Sequence, residues 1–220
     1  MDVHANQRLH YFHIHYTTPV WELKSRVLAK VQLTSQHSGT NIASELDKLA
    51  NELGIKDKIV SIVTDNAPDM IAAARIFGWT HFSCFAHTLN LVVTRAMKAD
   101  DNLARVQLKA KNVVSFFNHS ANATDRLCEV QKQLSIPAHK LIQVVASRWN
   151  SNYFMFERLI EQFESVTTVL FLVGRNDLCL TNEDLVVMKK AVCVLKPFAV
   201  ATEEMFADKH AGASKVRNEN

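Results

Sequence analysis

Residues Ile59–Lys98, IVSIVTDNAPDMIAAARIFGWTHFSCFAHTLNLVVTRAMK, say more about this chain than any other stretch of it. Ile59–Val63 is an uninterrupted apolar run of the kind that fills a strand of a parallel sheet. It leads into Asp65-Asn66, residue types that cap helices, and Pro68 suits the first turn of the helix that follows. That helix is predicted to reach about Phe77 and to stop at Gly78. Trp79–Cys84 reads as a second short strand, and Thr88–Met97 as a helix opened by Cys84-Phe85-Ala86-His87. A carboxylate at the mouth of a strand is where α/β enzymes place catalytic and metal-binding acids.

Outward from this stretch the pattern stays regular. Leu9–Thr17 and Ser25–Leu33 read as strands, joined across Thr18-Pro19-Val20-Trp21 as an antiparallel hairpin. Thr40–Leu53 carries Ile42, Leu46, Leu49 and Leu53 at spacings of three and four, which predicts a helix with Ser38 or Thr40 as cap and Gly54 past its end. This order predicts a mixed α/β sheet. After Asp100 the pattern turns helical. Leu103–Phe117 and Asp125–Leu134 are predicted helices, with a break at Pro137, and Leu141–Ala146 is either a strand or a helix entry. Asn150–Val173 reads as one long amphipathic helix. A last helix opens at Thr181-Asn182-Glu183-Asp184 and runs to Pro197, and the tail from Ala207 is polar.

The 220 residues are 48% hydrophobic and 21% charged, an ordinary globular balance, with a net charge of +3. Such a mild excess does not by itself mark a nucleic-acid binder, because a basic footprint must be clustered. Lys109, Lys111, Arg126, Lys132 and Lys140 give the helical half a basic lean that a solvated face explains equally well. Cys84, Cys128, Cys179 and Cys193 are scattered, which predicts reduced thiols of an intracellular protein. No apolar run approaches the roughly 20 residues of a membrane span.

Three motifs coincide in order and spacing with one family. Thr64-Asp65-Asn66-Ala67, Cys84-Phe85-Ala86-His87-Thr88-Leu89-Asn90-Leu91 and Ser147-Arg148-Trp149-Asn150-Ser151 resemble those of hAT-superfamily transposases, and most of all their domesticated relatives, the zinc finger BED domain-containing proteins. Trp21–Ser25 and Pro197–Glu204 extend the resemblance over nearly the whole chain. It implies an RNase H-like fold, a five-stranded mixed sheet with helices, interrupted by a helical insertion and here incomplete at both ends. The expected parts are a partial core over 1–99, an insertion region with the Arg-Trp motif over 100–206, and a flexible tail over 207–220.

The resemblance also implies a metal site of three acids, of which Asp65 matches the second. The register of Ala5-Asn6 puts the first just before Met1, and Asp2 falls on a different motif position. The third is expected beyond the insertion; Glu203 and Glu204 match a pair that non-catalytic relatives also carry. Relatives have an acid shortly before the Arg-Trp pair, where this chain has Val144-Val145-Ala146. One carboxylate cannot hold two divalent ions that sit about 3.5–4 Å apart. The expectation is therefore a catalytically silent remnant with no cofactor, Mg²⁺ or Mn²⁺ entering only if the chain is active after all.

Each motif residue also has a plain structural reading. Asp65 serves as a helix cap as readily as a metal ligand. Cys84 and His87 have the spacing of half a zinc site, but His81, His119 and Cys128 supply no second pair, so no metal is expected there. Asn90 completes that block without an evident role. Arg148 and Trp149 are either nucleic-acid contacts, the family's Trp stacking on a base, or a core Trp with a cationic neighbour. His13 and His15 share a strand face without a third ligand.

The expected function is a non-catalytic, nuclear, transposase-derived domain acting through DNA or protein contacts, including a homodimer through segments outside this chain. Neither a membrane nor a small-molecule substrate is expected. The alternatives are an active metal-dependent transposase or nuclease, and a structural adaptor with an exposed apolar patch along Phe154–Phe171.

Overall fold

The computed structural model describes residues 9–32, 38–145 and 148–206. Expectations placed on Asp2, Ala5-Asn6, Leu33, Ala146, Ser147 and the tail after 206 lie outside those residues. The chain is mixed α/β, mostly helical with small sheets, and divides into two compact units. One holds residues 9–88 and 204–206, the other 89–203.

In the first unit, β1 (Leu9–Thr17) and β2 (Leu23–Gln32) form the predicted antiparallel hairpin, with a bulge between Phe12 and His13. Trp21 closes its turn at φ 61°, donating its N–H to the Thr18 carbonyl. Helix α1 (Gly39–Glu52) starts where Ser38 accepts the Asn41 N–H, so Ser38 rather than Thr40 is the cap. Gly54 follows its C-cap at φ 62°. A βαβ unit comes next: β3 (Ser61–Thr64), α2 (Pro68–Phe77) and β4 (Thr80–Ser83), with β3 and β4 parallel. Gly78 ends α2 at φ 69°, a left-handed conformation that costs glycine little.

The unit's core is small. Ile42, Ala43, Leu46 and Ala73 are buried, with Phe12, Ile62, Met70 and Phe77 packed against them. Helices α1 and α2 approach closely at Gly39, where an added Cβ would lie 2.6 Å from the Ala72 Cβ and 2.9 Å from the Asp69 carbonyl oxygen. Gly39→Ala is expected to destabilise the unit by about 1–3 kcal/mol, since neither neighbour is a flexible side-chain tip. Urea unfolding followed by circular dichroism checks this.

The five-stranded mixed sheet implied by the resemblance is not what the described residues form. Their four strands make two separate two-stranded sheets. Nor is the first strand of the βαβ unit buried on both faces. Val63 and its register partner Phe82 are exposed, and Val60, just before the strand, is 84% exposed. A two-stranded sheet has one face on α1 and α2, and here the other face is open.

Helix α3 (Phe85–Ala99) leads into the second unit, whose regular elements are helical: α4 (Asp101–His119), α5 (Ala121–Gln133), α6 (Asn150–Glu161), α7 (Phe163–Leu172) and all but the last three residues of α8 (Asn182–Phe206). Asp100 caps α4, and Ser120 ends α4 while capping α5 through the Ala123 N–H. Val106, Val113, Val114, Phe117, Met155, Phe156, Leu159, Val169, Leu170 and Met188 are among the residues of its buried core. Residues 141–145 are irregular, neither strand nor helix.

Two helix boundaries differ from expectation. The long helix predicted over Asn150–Val173 is broken at Gln162, whose ψ of 13° departs from helical geometry. Gln162 is fully buried, and its side chain bonds Gln131, Ser165 and the Pro137 carbonyl. Those bonds satisfy a polar group that would otherwise be costly in a core. The last helix does not stop at Pro197 but carries it inside and continues to Phe206. Proline has no N–H to donate to the carbonyl four residues back, that of the exposed Cys193.

Candidate functional site

Because β3 and β4 run parallel, the residues that follow them leave the same edge of the sheet. The Cys84 N–H donates to the Thr64 carbonyl at 2.6 Å. Thr64 is itself buried, and its hydroxyl lies 2.8 Å from the His81 Nε2. This lock holds the Thr64-Asp65 turn beside the start of α3.

Asp65 is exposed at that edge. Its Oδ1 accepts the Ala67 N–H at 3.2 Å, closing a side-chain turn, while Asn66 takes a left-handed φ of 65°. Asn tolerates that conformation better than most residues. The expectation that Asp65-Asn66 caps α2 is corrected: Ala67 holds the N-cap position, without a side-chain cap bond. Asp65 bends the chain one step before the helix.

A divalent ion of the hard type takes about six oxygen ligands. Among the described residues no group of three His, Cys, Asp or Glu side chains is placed to hold a metal ion. Asp65 has one oxygen engaged by Ala67. The described donor set therefore does not fit the paired metal ions of a strand-transfer enzyme.

Cys84 and His87 are both half-buried, and Cys84 directly precedes α3. The Cys84 carbonyl accepts the Thr88 N–H at 3.0 Å and the Thr88 hydroxyl at 3.1 Å, which starts the helix. Asn90, the sixth residue of α3, belongs to the other unit and does something different. Its Oδ1 accepts the Trp149 N–H at 2.8 Å.

Arg148 and Trp149 part company although adjacent. Trp149 is 4% exposed, within the core of the helical unit, whereas Arg148 is exposed. The turn around them is densely tied. The Ser151 hydroxyl donates to the Arg148 carbonyl at 2.6 Å and accepts the Val145 N–H at 3.0 Å. The Asn152 side chain donates to the Trp149 carbonyl and accepts from Gln107 at 2.6 Å. In this conformation the indole has no open face for a base to stack on.

The basic lean of the helical unit is partly consumed internally. Lys109 pairs with Asp184 at 3.0 Å, and Arg105 with the same carboxylate at 2.8 Å. Asp184 is fully buried and also accepts the Thr181 N–H, while Thr181 Oγ1 accepts the Asp184 N–H, a reciprocal cap on α8. Burial pushes this carboxyl up, but the Thr181 N–H, Lys109 and Arg105 outweigh burial and hold it down at about 2. Burial, and then the nearby Lys98 charge, lower Lys111. Sequence reasoning saw acids in the first turn of α8 but not the partners of Asp184, which lie 75 and 79 residues away.

Comparison with known proteins places the chain in a family. The ZBED1 RNase-like domain model matches residues 4–79, and the ZBED1 RNase-like helical domain model matches residues 82–193. Human zinc finger BED domain-containing protein 4 is 30% identical over 187 residues, 82% of this chain and 16% of that protein. Human zinc finger BED domain-containing protein 6 is 32% identical over 180 residues, 80% and 18% respectively. Zinc finger BED domain-containing protein RICESLEEPER 3 of Oryza sativa subsp. japonica is 24% identical over 155 residues, 61% of this chain and 20% of its own length. The chain thus spans about a fifth or less of each of these relatives. With both family models matched in order and two relatives at least 30% identical over four fifths of it, the chain belongs to the ZBED1 RNase-like family of zinc finger BED domain-containing proteins, the domesticated hAT type.

Proposed function

We propose that this chain is a transposase-derived, RNase H-like domain without strand-cleaving chemistry that serves a nuclear protein by binding nucleic acid, and protein partners with it. The observation that carries the reading is the donor set around Asp65: among the described residues no group of three His, Cys, Asp or Glu side chains, with Asp65 or without it, is placed to hold a metal ion. Membership of a BED zinc finger family supports the nuclear and nucleic-acid part. The exposed Arg148, whose backbone is pinned on both sides, is the residue assigned to phosphate contact. A guanidinium suits that task because its fork pairs with two phosphate oxygens at once. The adaptor reading is weaker. Along Phe154–Phe171 the large apolar side chains mostly face the core, and only Phe171, with its neighbour Leu172, is exposed at the end of α7.

Titrating labelled single- and double-stranded DNA at about 50 and 200 mM salt tests the binding role. Affinity should fall roughly tenfold across that range for every two phosphates neutralised. Arg148→Ala should weaken binding by about tenfold, the worth of one charge-assisted contact. Binding that is absent at low salt, or indifferent to salt, would overturn the proposal.

A further inference from the structure

Asn90 lies outside the proposed contact surface, yet its side chain reaches the segment that bears it. We infer that Asn90 is a positioning residue: through the Trp149 N–H it fixes the turn from which Arg148 reaches a nucleic-acid phosphate. The inference rests on the binding role proposed for Arg148, while its structural half can be tested apart from that role.

Helix α6 has no side-chain cap from its own N-cap residue, Trp149. A donor at a helix start left without a partner is costly when water is excluded. Asn90 supplies the acceptor from 59 residues away, at 2.8 Å. Arg148 itself is bonded within the turn. The Arg148 N–H donates to the Val145 carbonyl at 3.0 Å, and the Arg148 carbonyl accepts the Ser151 hydroxyl and N–H. The Trp149 indole, buried in the core, anchors the turn on its inner side. Of this assembly, the bond from Asn90 is the polar tie to α3, whose Val93 and Met97 share a buried core with Trp149, and it adds a directional restraint at the residue next to Arg148. Among the described residues no carboxylate pairs with the Arg148 guanidinium, which leaves its fork available to an external anion. A long flexible cation gains affinity when its stem is held in place beforehand.

The experiment uses the full chain and the variants Asn90→Ala, Asn90→Asp, Arg148→Ala and Asn90→Ala/Arg148→Ala. Amide hydrogen exchange is read at Trp149 and, as internal reference, at Val113 and Phe117 of α4. Binding is read with labelled single-stranded DNA at about 50 mM salt. Asn90→Ala should speed exchange at Trp149 by about tenfold, the worth of one hydrogen bond, and leave Val113 and Phe117 unchanged. Asn90→Asp keeps an acceptor oxygen and should restore the protection. The affinity lost in Asn90→Ala should be absent from the double variant's loss beyond that of Arg148→Ala alone, because both changes disable one contact. Unchanged exchange at Trp149 would overturn the inference, as would losses that simply add. Faster exchange at Val113 and Phe117 as well would assign Asn90 to folding of the unit and overturn it too. Should the unaltered chain bind no DNA, the binding role falls, and the exchange at Trp149 still decides what Asn90 holds.

Discussion

Replacing Asp184 with alanine is expected to lower the stability of the helical unit by about 3 kcal/mol at neutral pH, the low end for breaking a buried ion pair. The low end applies because the abandoned partners are not themselves buried: Arg105 and Lys109 side chains are 46% and 41% exposed and can turn to water. What is lost is the cap on α8 and the satisfied centre of a three-way contact, since Asp184 is fully buried with both cations and the Thr181 N–H on it. Acid should have a related effect on the unaltered chain. The folded carboxyl sits at about 2, below its ordinary 3.8. Its stabilisation is therefore present above the unfolded value and lost as the pH falls through the folded one. The loss should amount to about 2 kcal/mol between pH 5 and pH 2. Urea midpoints measured across that range should slope less steeply in Asp184→Ala than in the unaltered chain. Parallel slopes would mean that other carboxylates govern the acid response.

Trp149→Ala is expected to cost about 3–5 kcal/mol of stability, as for other large core truncations, because the side chain is 4% exposed in the helical core. Arg148→Ala, one residue away and exposed, should change stability by no more than about 0.5 kcal/mol while weakening DNA binding. The contrast separates two accounts of the Arg-Trp motif. A base-stacking indole would lose about 1–3 kcal/mol of binding on truncation with little loss of stability. A core indole loses stability first. Urea unfolding and DNA titration of the two variants together decide between them.

Local chemistry made much of this fold readable. The spacing of Ile42 and Leu46, the Ser38 cap, Pro68 in a first turn and Gly78 at a helix end all act within a few residues, and each appears where the pattern put it. The hairpin was legible for the same reason. The misses have distant causes. Nothing near Gln162 announces a break, because the apolar stripe continues through Val166 and Leu170; the bonds that bend the helix come from Gln131 and Pro137. Pro197 looked like a stop, yet it sits on an exposed side of α8 where one missing N–H is tolerable. The strand at Ser61–Thr64 is apolar enough for a two-sided core, but burial depends on how many strands flank it.

The site divides in the same way. Sequence located Asp65, Cys84, His87, Asn90, Arg148 and Trp149 by motif, but could not say which of them meet. The structure joins Asn90 to Trp149, places Cys84 beside Thr64, and sends neighbouring Arg148 and Trp149 in opposite directions. The buried carboxylate of the helical unit, Asp184, had no family motif to flag it. A Thr three residues ahead of an Asp was the available signal, and it pointed only to a cap.

The direct trial of a binding domain without cleavage chemistry is a plasmid assay with the unaltered chain and Asp65→Ala, using supercoiled DNA and either Mg²⁺ or Mn²⁺. With no group of three ligating side chains placed to hold a metal ion among the described residues, both proteins should leave the plasmid intact to the same degree. Nicking by the unaltered chain that disappears in Asp65→Ala would contradict the account.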